Sequence, residues 1–569
     1  MNTTSPMVKS QVATDNKQGK CGAEKASNWV PILEDHVYKP RKLRVVCIGA
    51  GYAGLMVAYK WRHELKMDNF IDLAIYEKNS DIGGTWLENR YPGVACDVPA
   101  HIYTFAFEPN PDWSSFYASG PEIWSYIKRT TERYNLDERV QLNSRVISSI
   151  WDQSRGKWVL EIDQNGTTVH DEADVLINGS GILNKWRWPD IKGLSTFKGQ
   201  LVHSAAWDAS VDWKDKKVAL IGNGSSAIQI LPQMQPNSAK ITNYVRTPTW
   251  ISSPFASELT PGGKNFKYSK EEKREFKEHP TKLLELRRDI EHSFNHFFHT
   301  LLIDSPAQVA MEKAFRQTME ERLNHDPELC AKLIPKWKVG CRRLTPGEGY
   351  LEALQMPNVV LDFSGIEEIT KDGVKTSNGV EKVDILVCAT GFDVSFSPNW
   401  ELVGKGGISL ADQWKDNPAA YFGICAPNMP NYFIFNGPNC PIGHGSVLAV
   451  MDWTADYILK WCKKIASEDI KSVTVDTKAT DDYNVYTQEF MKRTVWKSGC
   501  RSWYKNSKIE GKVTATYAGS VLHYKEILES FRTEDFNFEY KSPNRFRFMG
   551  NGLTLREEKK EHLGFYVQK

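Results

Sequence analysis

The sequence predicts an α/β protein of two dinucleotide-binding, Rossmann-like domains. The first is discontinuous, interrupted by the second, and the second carries a helical insertion. Three observations predict this. A short apolar run, Leu43–Ile48, leads into the glycine turn "GAGYAG" and then a helical pattern. The same strand–turn–helix order recurs at "KKVALIGNGSSAIQI". A stretch at about 260–335, rich in Lys, Arg, Glu, Phe and Leu, reads as a helical subdomain set into the second unit. The expected limits are an N-terminal extension at 1–40, a first part of the first domain at 41–185, the second domain at 186–382, and the rest of the first domain with a C-terminal region at 383–569.

Each element has a physical reason. The first 28 residues lack the apolar stretch of a secretory signal and read as a disordered tail or a variable extension. Gly49, Gly51 and Gly54 then form GxGxxG. The first glycine makes the tight turn, the second lets backbone approach a pyrophosphate, and the third lets helix and strand pack closely. The helix start offers free N–H groups to an anion. The next strand, "IDLAIYEKN", ends in Glu77, 23 residues past Gly54, where an acid takes ribose hydroxyls. That pattern suits an unphosphorylated ribose, as in FAD. In the second unit Gly222, Gly224 and Ala227 form GxGxxA, with Ser225 and Ser226 in the turn. Where the acid would follow stand Arg246 and Thr247. A carboxylate there repels a 2′-phosphate and a guanidinium pairs with it, so the second site is expected to take NADP. "ADVLINGSGILNKWRWPDI" reads as the crossover between the domains, with Gly179 and Gly181 as hinges. "VDILVCATGFD", Val383 to Asp393, reads as the strand that returns to the first sheet.

Composition narrows the function. The 569 residues carry a net charge of +2 without a basic run, so no nucleic-acid partner is expected. No run of 18 apolar residues occurs, so no membrane span is expected and the protein is read as cytoplasmic. Ten scattered cysteines without a CxxC pair argue against a zinc site, a disulfide framework or a redox dithiol, and fit a reducing compartment. His292, His296 and His299 share a helical face, but no acid or Cys completes a ligand set, so no metal is expected. His444 in "GHGS" reads as a loop contact and not as a base.

Two longer motifs then identify a resemblance. "FKGQLVHSAAWD" supplies Phe197, Gly199, His203, Trp207 and Asp208 in the pattern FxGxxxHxxxW(P/D). "GGTWLENRYPGVACD" supplies Gly83, Gly84, Trp86, Tyr91, Pro92, Gly93 and Asp97 in the pattern (A/G)GxWxxxx(F/Y)P(G/M)xxxD. With both glycine turns they cover about 44–250, and over this span the chain resembles the single-component, FAD- and NADPH-dependent (type I) Baeyer–Villiger monooxygenases. The resemblance is weakest at 1–40, at about 255–335 and at the extreme C-terminus.

The resemblance implies a cycle. NADPH reduces FAD, the reduced flavin takes up O2 as a C4a-peroxyflavin, and one oxygen is inserted beside a ketone carbonyl to give an ester or lactone. In "GCRRLTPGEGYLEAL" it implies Arg343 as the active-site arginine and Arg342 near the 2′-phosphate. A fixed cation keeps a peroxide deprotonated and stabilises a developing oxyanion, and Asp97 is the expected carboxylate partner that orients it. Gly84, Thr85, Trp86 and Asp97 are expected toward FAD, and Trp503 toward the nicotinamide cofactor. His203 and Trp207 are read as a strap that couples the two domains and not as proton-transfer residues. Linear or cyclic aliphatic ketones are the expected substrates, with a bulkier secondary-metabolite ketone as the alternative, and a monomer is favoured. Two other readings stay open: heteroatom oxygenation of a sulfide or amine, and a catalytically silent nucleotide-binding regulator.

Overall fold

The chain is described here by a computed structural model over residues 26–567; nearly all of the expected N-terminal tail lies outside the described residues. β1 (Leu43–Ile48) is apolar except at Arg44. Its side chains alternate between two cores, as a strand's period of two requires. Leu43, Val45 and Cys47 enter one core, and Val46 and Ile48 enter the other. The chain turns at Gly49 into α1 (Tyr52–Tyr59), then forms β2 (Ile71–Tyr76), β3 (Val140–Gln141) and β4 (Val175–Asn178). The parallel order is β4-β1-β2-β3. Between β3 and β4 an antiparallel meander, Ser144–Asp152, Lys157–Gln164 and Thr167–Ala173, covers the second core.

The second sheet uses β5 (Gln200–His203), β6 (Lys217–Ile221) followed by α2 (Ser225–Met234), and β7 (Lys240–Tyr244). The helical insertion follows, with α3 (Pro280–His296) and α4 (Pro306–Arg322) as its long members. Proline opens both helices, where its missing N–H costs nothing. Leu283, Ile290 and Phe294 form the buried face of α3. The chain re-enters the sheet with β8 (Val359–Asp362) and β9 (Ile385–Cys388), giving the order β8-β7-β6-β9-β5.

β9 corrects an expectation. It lies in the second sheet, paired with β6 and β5, and does not return to the first. The return is made by β10 (Tyr432–Ile434), which pairs with β4 and completes a first sheet of five strands. The reason is visible at the glycine turns. A Cβ at Gly49, whose φ is +105°, would lie 2.7 Å from the Gly179 carbonyl oxygen, just beyond β4. A Cβ at Gly222, whose φ is +115°, would lie 2.5 Å from the Ala389 carbonyl oxygen, just beyond β9. Each turn needs a neighbouring strand end pressed against it, and "VDILVCATG" performs that service for the second turn. In sequence the two strand ends look alike.

Two segments connect the domains, and they run side by side. Trp186 bridges Phe392 in antiparallel fashion, and the Asp393 N–H donates to the Lys185 carbonyl at 2.7 Å. After β10 the chain forms the long α5 (Val447–Ser467), buried along most of its length beside α1, and later α6 (Val521–Glu529). Among the described residues no helix is long and apolar enough to cross a membrane.

Gly199 offers a test of this topology. A Cβ there would stand 2.4 Å from the Asp384 carbonyl oxygen at the start of β9. Gly199→Val is expected to destabilise the protein by about 1–3 kcal/mol through overpacking, read as a lower melting temperature. Flavin absorbance per folded molecule should be retained, because the strain falls in the second sheet.

Candidate active site

Arg343 and Asp97 meet from positions 246 residues apart in the chain. Asp97 ends the loop "RYPGVACD", and three contacts fix that loop on α2 of the second domain. The Tyr91 hydroxyl donates to Gln229 Oε1 at 2.9 Å, and Gln229 Nε2 donates to the Ala95 carbonyl at 3.1 Å. At Gly93 a Cβ would come within 2.6 Å of the Gln229 carbonyl oxygen, so the loop lies directly on the helix. Arg343 Nη2 donates to both carboxylate oxygens of Asp97, each at 2.7 Å. The Asp97 charge raises the Arg343 pKa despite burial, so the guanidinium stays charged. It makes no other hydrogen bond among the described residues, and with 38 % of its side chain exposed it presents its remaining donors to a cavity. The Tyr504 hydroxyl behind the pair is pushed up to about 12 by burial, and burial also raises the Cys96 thiol. Neither group is an acid at neutral pH.

The cavity holds about 660 Å³ of space, counting its opening to solvent. Phe255, Phe294, Phe297, Leu301, Ile442 and Trp496 make most of its wall apolar. Three of these, Phe294, Phe297 and Leu301, come from the end of α3 and the turn after it. The helical insertion therefore builds a large share of the pocket.

α1 and α2 begin at Gly51 and Gly224 without a side-chain cap, which leaves their first N–H groups for an anion. A Cβ at Gly84 would sit 3.1 Å from the Gly51 Cα, so these two glycines keep the first turn bare. Thr85 and Trp86 follow on a short helical turn. Trp86 meets Tyr103 edge to face, and its buried Nε1 has no hydrogen-bond partner. Glu77 is buried, and its carboxylate braces the turn by accepting the Ala50 N–H at 2.8 Å and the Asn79 N–H at 2.9 Å. Burial raises its pKa and these bonds offset part of the rise. These features fit FAD.

At the second turn Ser225 Oγ bonds Thr345 Oγ1 at 2.9 Å and Asn223 Nδ2 donates to the Thr247 carbonyl at 2.8 Å; Ser226 stands beside the Tyr91 hydroxyl. Arg342 donates to Thr247 Oγ1 at 3.1 Å and to the Arg501 carbonyl at 2.6 Å, and lies 4.6 Å over the Trp337 ring. Burial first, then the charges of Arg246 and Arg501, lower its pKa to about 10. Three arginines converge, and among the described residues no carboxylate pairs with any of them. A dianionic phosphate supplies what is missing, so the cluster fits NADP.

His203 is 1 % exposed. Its Nε2 bonds Thr390 Oγ1 at 3.2 Å, its Nδ1 accepts the Ala205 N–H at 3.1 Å, and its ring stacks on Trp186 at 4.5 Å. It touches both connecting segments at once. Phe197 is buried in a core cluster of the second domain, while Trp207 is only partly buried, near Trp213, and Asp208 caps an exposed turn at Ser210. Trp503 is not among the residues that line the cavity; its neighbour Tyr504 is.

The cysteines bring a second correction. Cys341 and Cys500, expected to be unpaired, form a disulfide with a Cα–Cα separation of 6.3 Å. It fastens the Arg342–Arg343 segment to the Arg501–Trp503 segment. Two cysteines 159 residues apart have no local signature, and the pairing comes from the fold alone. Gln229, Trp186 and Tyr504 were also missed, for the same reason.

A fold with two nucleotide turns, a basic cluster at the second and an arginine-bearing cavity between them defines a flavin- and NADP-dependent oxidoreductase. Comparisons agree. The sequence profile of the NAD(P)-binding Rossmann-like domain matches residues 47–119. The FAD-binding monooxygenase tazF of Aspergillus terreus is 49 % identical over 93 % of this chain and 95 % of its own length. A Baeyer-Villiger monooxygenase of Pseudomonas aeruginosa is 33 % identical over 86 % of this chain and 90 % of its own length. The NADP⁺-bound crystal structure of cyclohexanone monooxygenase from Rhodococcus sp. Phi1 superposes with a TM-score of 0.76 at 25 % identity, covering 88 % of this chain and all of that one. The chain belongs to the FAD-binding monooxygenases, and its cofactors are FAD and NADP.

Two outcomes follow from this geometry. Arg342→Ala is expected to raise the KM for NADPH by about 10- to 100-fold, the worth of one charge-assisted bond, with little change for NADH. Non-reducing peptide mapping should recover Cys341 and Cys500 in one cross-linked species, and Cys500→Ser should cost about 2–4 kcal/mol of stability.

Proposed function

We propose that this enzyme is a type I Baeyer–Villiger monooxygenase that uses NADPH and O2 to insert one oxygen beside a ketone carbonyl, giving an ester or lactone. The observation that carries this reading is the Arg343–Asp97 pair at the wall of an apolar cavity. When bound, FAD and NADPH supply the electrons and the activated oxygen. The chain supplies the environment.

Attack on a carbonyl needs an anionic nucleophile and places negative charge on the carbonyl oxygen. Arg343 is a permanent cation with donors free on the cavity side, and it stabilises both charges. Asp97 does not touch the substrate. It is a positioning residue that holds the guanidinium by two bonds to a single nitrogen and leaves the others to the reacting atoms. The apolar wall excludes water, which strengthens the arginine's field and protects an oxidant from wasteful release. Heteroatom oxygenation uses a protonated oxidant and has no need of a fixed cation at this point.

His203 serves as the coupling residue between the domains. Burial lowers its pKa to about 4, so it is neutral and acts through hydrogen bonds and stacking on both connecting segments. Phe197 and Gly199 seat the same motif in the second sheet. This reading takes the return to the flavin domain to fall after Cys388, which pairs in the second sheet, and before Tyr432, which pairs in the first. Linear or cyclic aliphatic ketones fit the wall.

The test is product mass after incubation of the purified yellow protein with NADPH, air and a panel of ketones and sulfides. An ester or lactone one oxygen heavier than the ketone is expected. Sulfoxide without ester overturns the proposal. Arg343→Ala should retain flavin and NADPH oxidation, release hydrogen peroxide, and lose ester formation by about 100- to 1,000-fold. Asp97→Asn should keep the shape of the pair, weaken its hold on the guanidinium, and show a smaller loss.

A further inference from the structure

The Cys341–Cys500 disulfide joins two segments that their charges push apart. One carries Arg342 and Arg343. The other is the loop from Ser498 to Lys512, irregular apart from the turn Trp503–Lys505 and a bridge between Ser502 and Lys508. Both ends of the loop are anchored. Val495 and Trp496 are buried before it, and Val513 after it exchanges two hydrogen bonds with the Gln488 side chain, at 2.9 and 3.1 Å. Between these anchors the loop holds itself together. Lys505 Nζ donates to the Ser498 carbonyl at 2.5 Å, and Arg501 Nη1 to the Ser507 carbonyl at 3.0 Å. The loop is a unit that can lift from the Arg342 segment without the rest unfolding.

Charge favours that lift. The loop and its foot carry Lys497, Arg501, Lys505, Lys508 and Lys512 against one acid, Glu510. They meet Arg342 and, beyond it, Arg246. The Arg501 charge is among the causes that lower the Arg342 pKa, after burial and the charge of Arg246. Burial, then Lys497 and Arg342, lowers the Lys505 pKa to about 8, with Glu510 working against the shift. Among the described residues no ion pair relieves Arg246, Arg342, Arg501, Lys497 or Lys505. Like charges half out of water repel with little screening. Across the seam Arg342 Nε donates to the Arg501 carbonyl at 2.6 Å, and the disulfide supplies the covalent tie. A dianionic phosphate between the arginines opposes the same repulsion, so disulfide and NADP favour one position of the loop. The reduced pair also fits the fold, because the Ser498 carbonyl lies 3.3 Å from Cys341 Sγ, where a thiol finds an acceptor.

We propose that Cys341 and Cys500 form a thiol–disulfide exchange site that sets the affinity of the enzyme for NADP. The reductant is a dithiol. It gives two electrons and two protons to the S–S bond, which opens to two cysteine thiols while the dithiol closes to its own disulfide. Glutathione disulfide reverses the step, leaving two molecules of glutathione. Reduction frees the loop, which moves Arg501 away from Arg342 and takes Trp503 and Tyr504 with it. Both sulfurs are buried, at 0 % and 1 % exposure, so a thiolate reaches them only when the loop lifts, and bound NADP resists that lift. Linkage makes the two effects equal. The factor by which the disulfide tightens NADP is the factor by which NADP protects the disulfide. The inference needs the NADP site alone and is independent of the Baeyer–Villiger reading.

The experiment uses the full-length, FAD-loaded enzyme. NADP⁺ binding is measured by calorimetry on the disulfide form and on the same protein reduced with dithiothreitol. The reduced form is expected to keep its flavin absorbance and bind NADP⁺ about tenfold more weakly, a usual coupling between sites. Glutathione disulfide should restore the tight form. In glutathione buffers, with reduction read by alkylation and peptide mapping, the half-reduction point is taken as squared thiol over disulfide concentration. Saturating NADP⁺ should raise it by the same factor. The double variant Cys341→Ser, Cys500→Ser should bind like reduced wild type with or without dithiothreitol. Equal NADP⁺ affinity in the two wild-type forms overturns the inference, and so does a half-reduction point that NADP⁺ leaves unmoved. A response to dithiothreitol that survives in the double variant assigns the effect to another thiol and also overturns it. A reduced wild type that sheds its flavin does the same, because the tie then serves the fold and not the NADP site.

Discussion

The structure depends on one ion pair. Asp97 belongs to a loop of the first domain and Arg343 to the segment between the helical insertion and β8 of the second, 246 positions apart. They meet only when the two sheets, the loop between them and the connecting segments are all in place. The pair is therefore a reporter of the closed arrangement as well as a charge. Its strength comes from opposite charges in direct contact in a partly buried setting, where the field is less screened than at the surface. Its usefulness comes from the donors it leaves over.

Three independent ties hold those partners in register. Gln229 clamps the Asp97 loop onto α2 through Tyr91 and Ala95. The Cys341–Cys500 disulfide fixes the Arg343 segment to the Tyr504 segment. His203, stacked on Trp186 and bonded to Thr390, ties the outgoing connection to the returning one. Each tie joins different parts of the chain, so losing one leaves the other two to constrain the arginine. A strap with a neutral histidine at its centre keeps its hydrogen bonds and stacking at neutral pH, because burial holds the imidazole uncharged.

The sequence was legible where the physics is local. Glycine at 49, 54 and 222 marks turns whose backbone conformation or close contacts few other residues allow. Arg246 in place of an acid marks the choice of phosphate. Asp97 was singled out by a long motif of fixed spacing and Arg343 by a family resemblance, and the fold brings the two side chains together. The reading failed where partners are chosen by topology. β9 carries the same apolar run and glycine turn that a return strand would carry, and only the position of Gly222 against Ala389 decides its sheet. The disulfide joins cysteines with no spacing rule between them. His444 was read as a loop contact, and its Nδ1 makes one by accepting the Val521 N–H.

The distribution of these failures has a physical cause that bears on specificity. Nucleotides are the same molecules in every enzyme that uses them, so their sites reduce to backbone geometry and a few charges, which sequence records well. A substrate pocket is assembled from side chains of unrelated segments. Here the wall draws on α3 and the turn after it, on the loop before α5 and on Trp496, and the first of these lies in the stretch where the resemblance is weakest. The insertion can change its apolar face without disturbing Arg343, because the arginine is held from below by Asp97 and from the side by the disulfide. Under the proposed function, reaction and specificity therefore fall to different parts of the chain, the first to the Arg343–Asp97 pair and the second to the insertion and the loop that complete the wall.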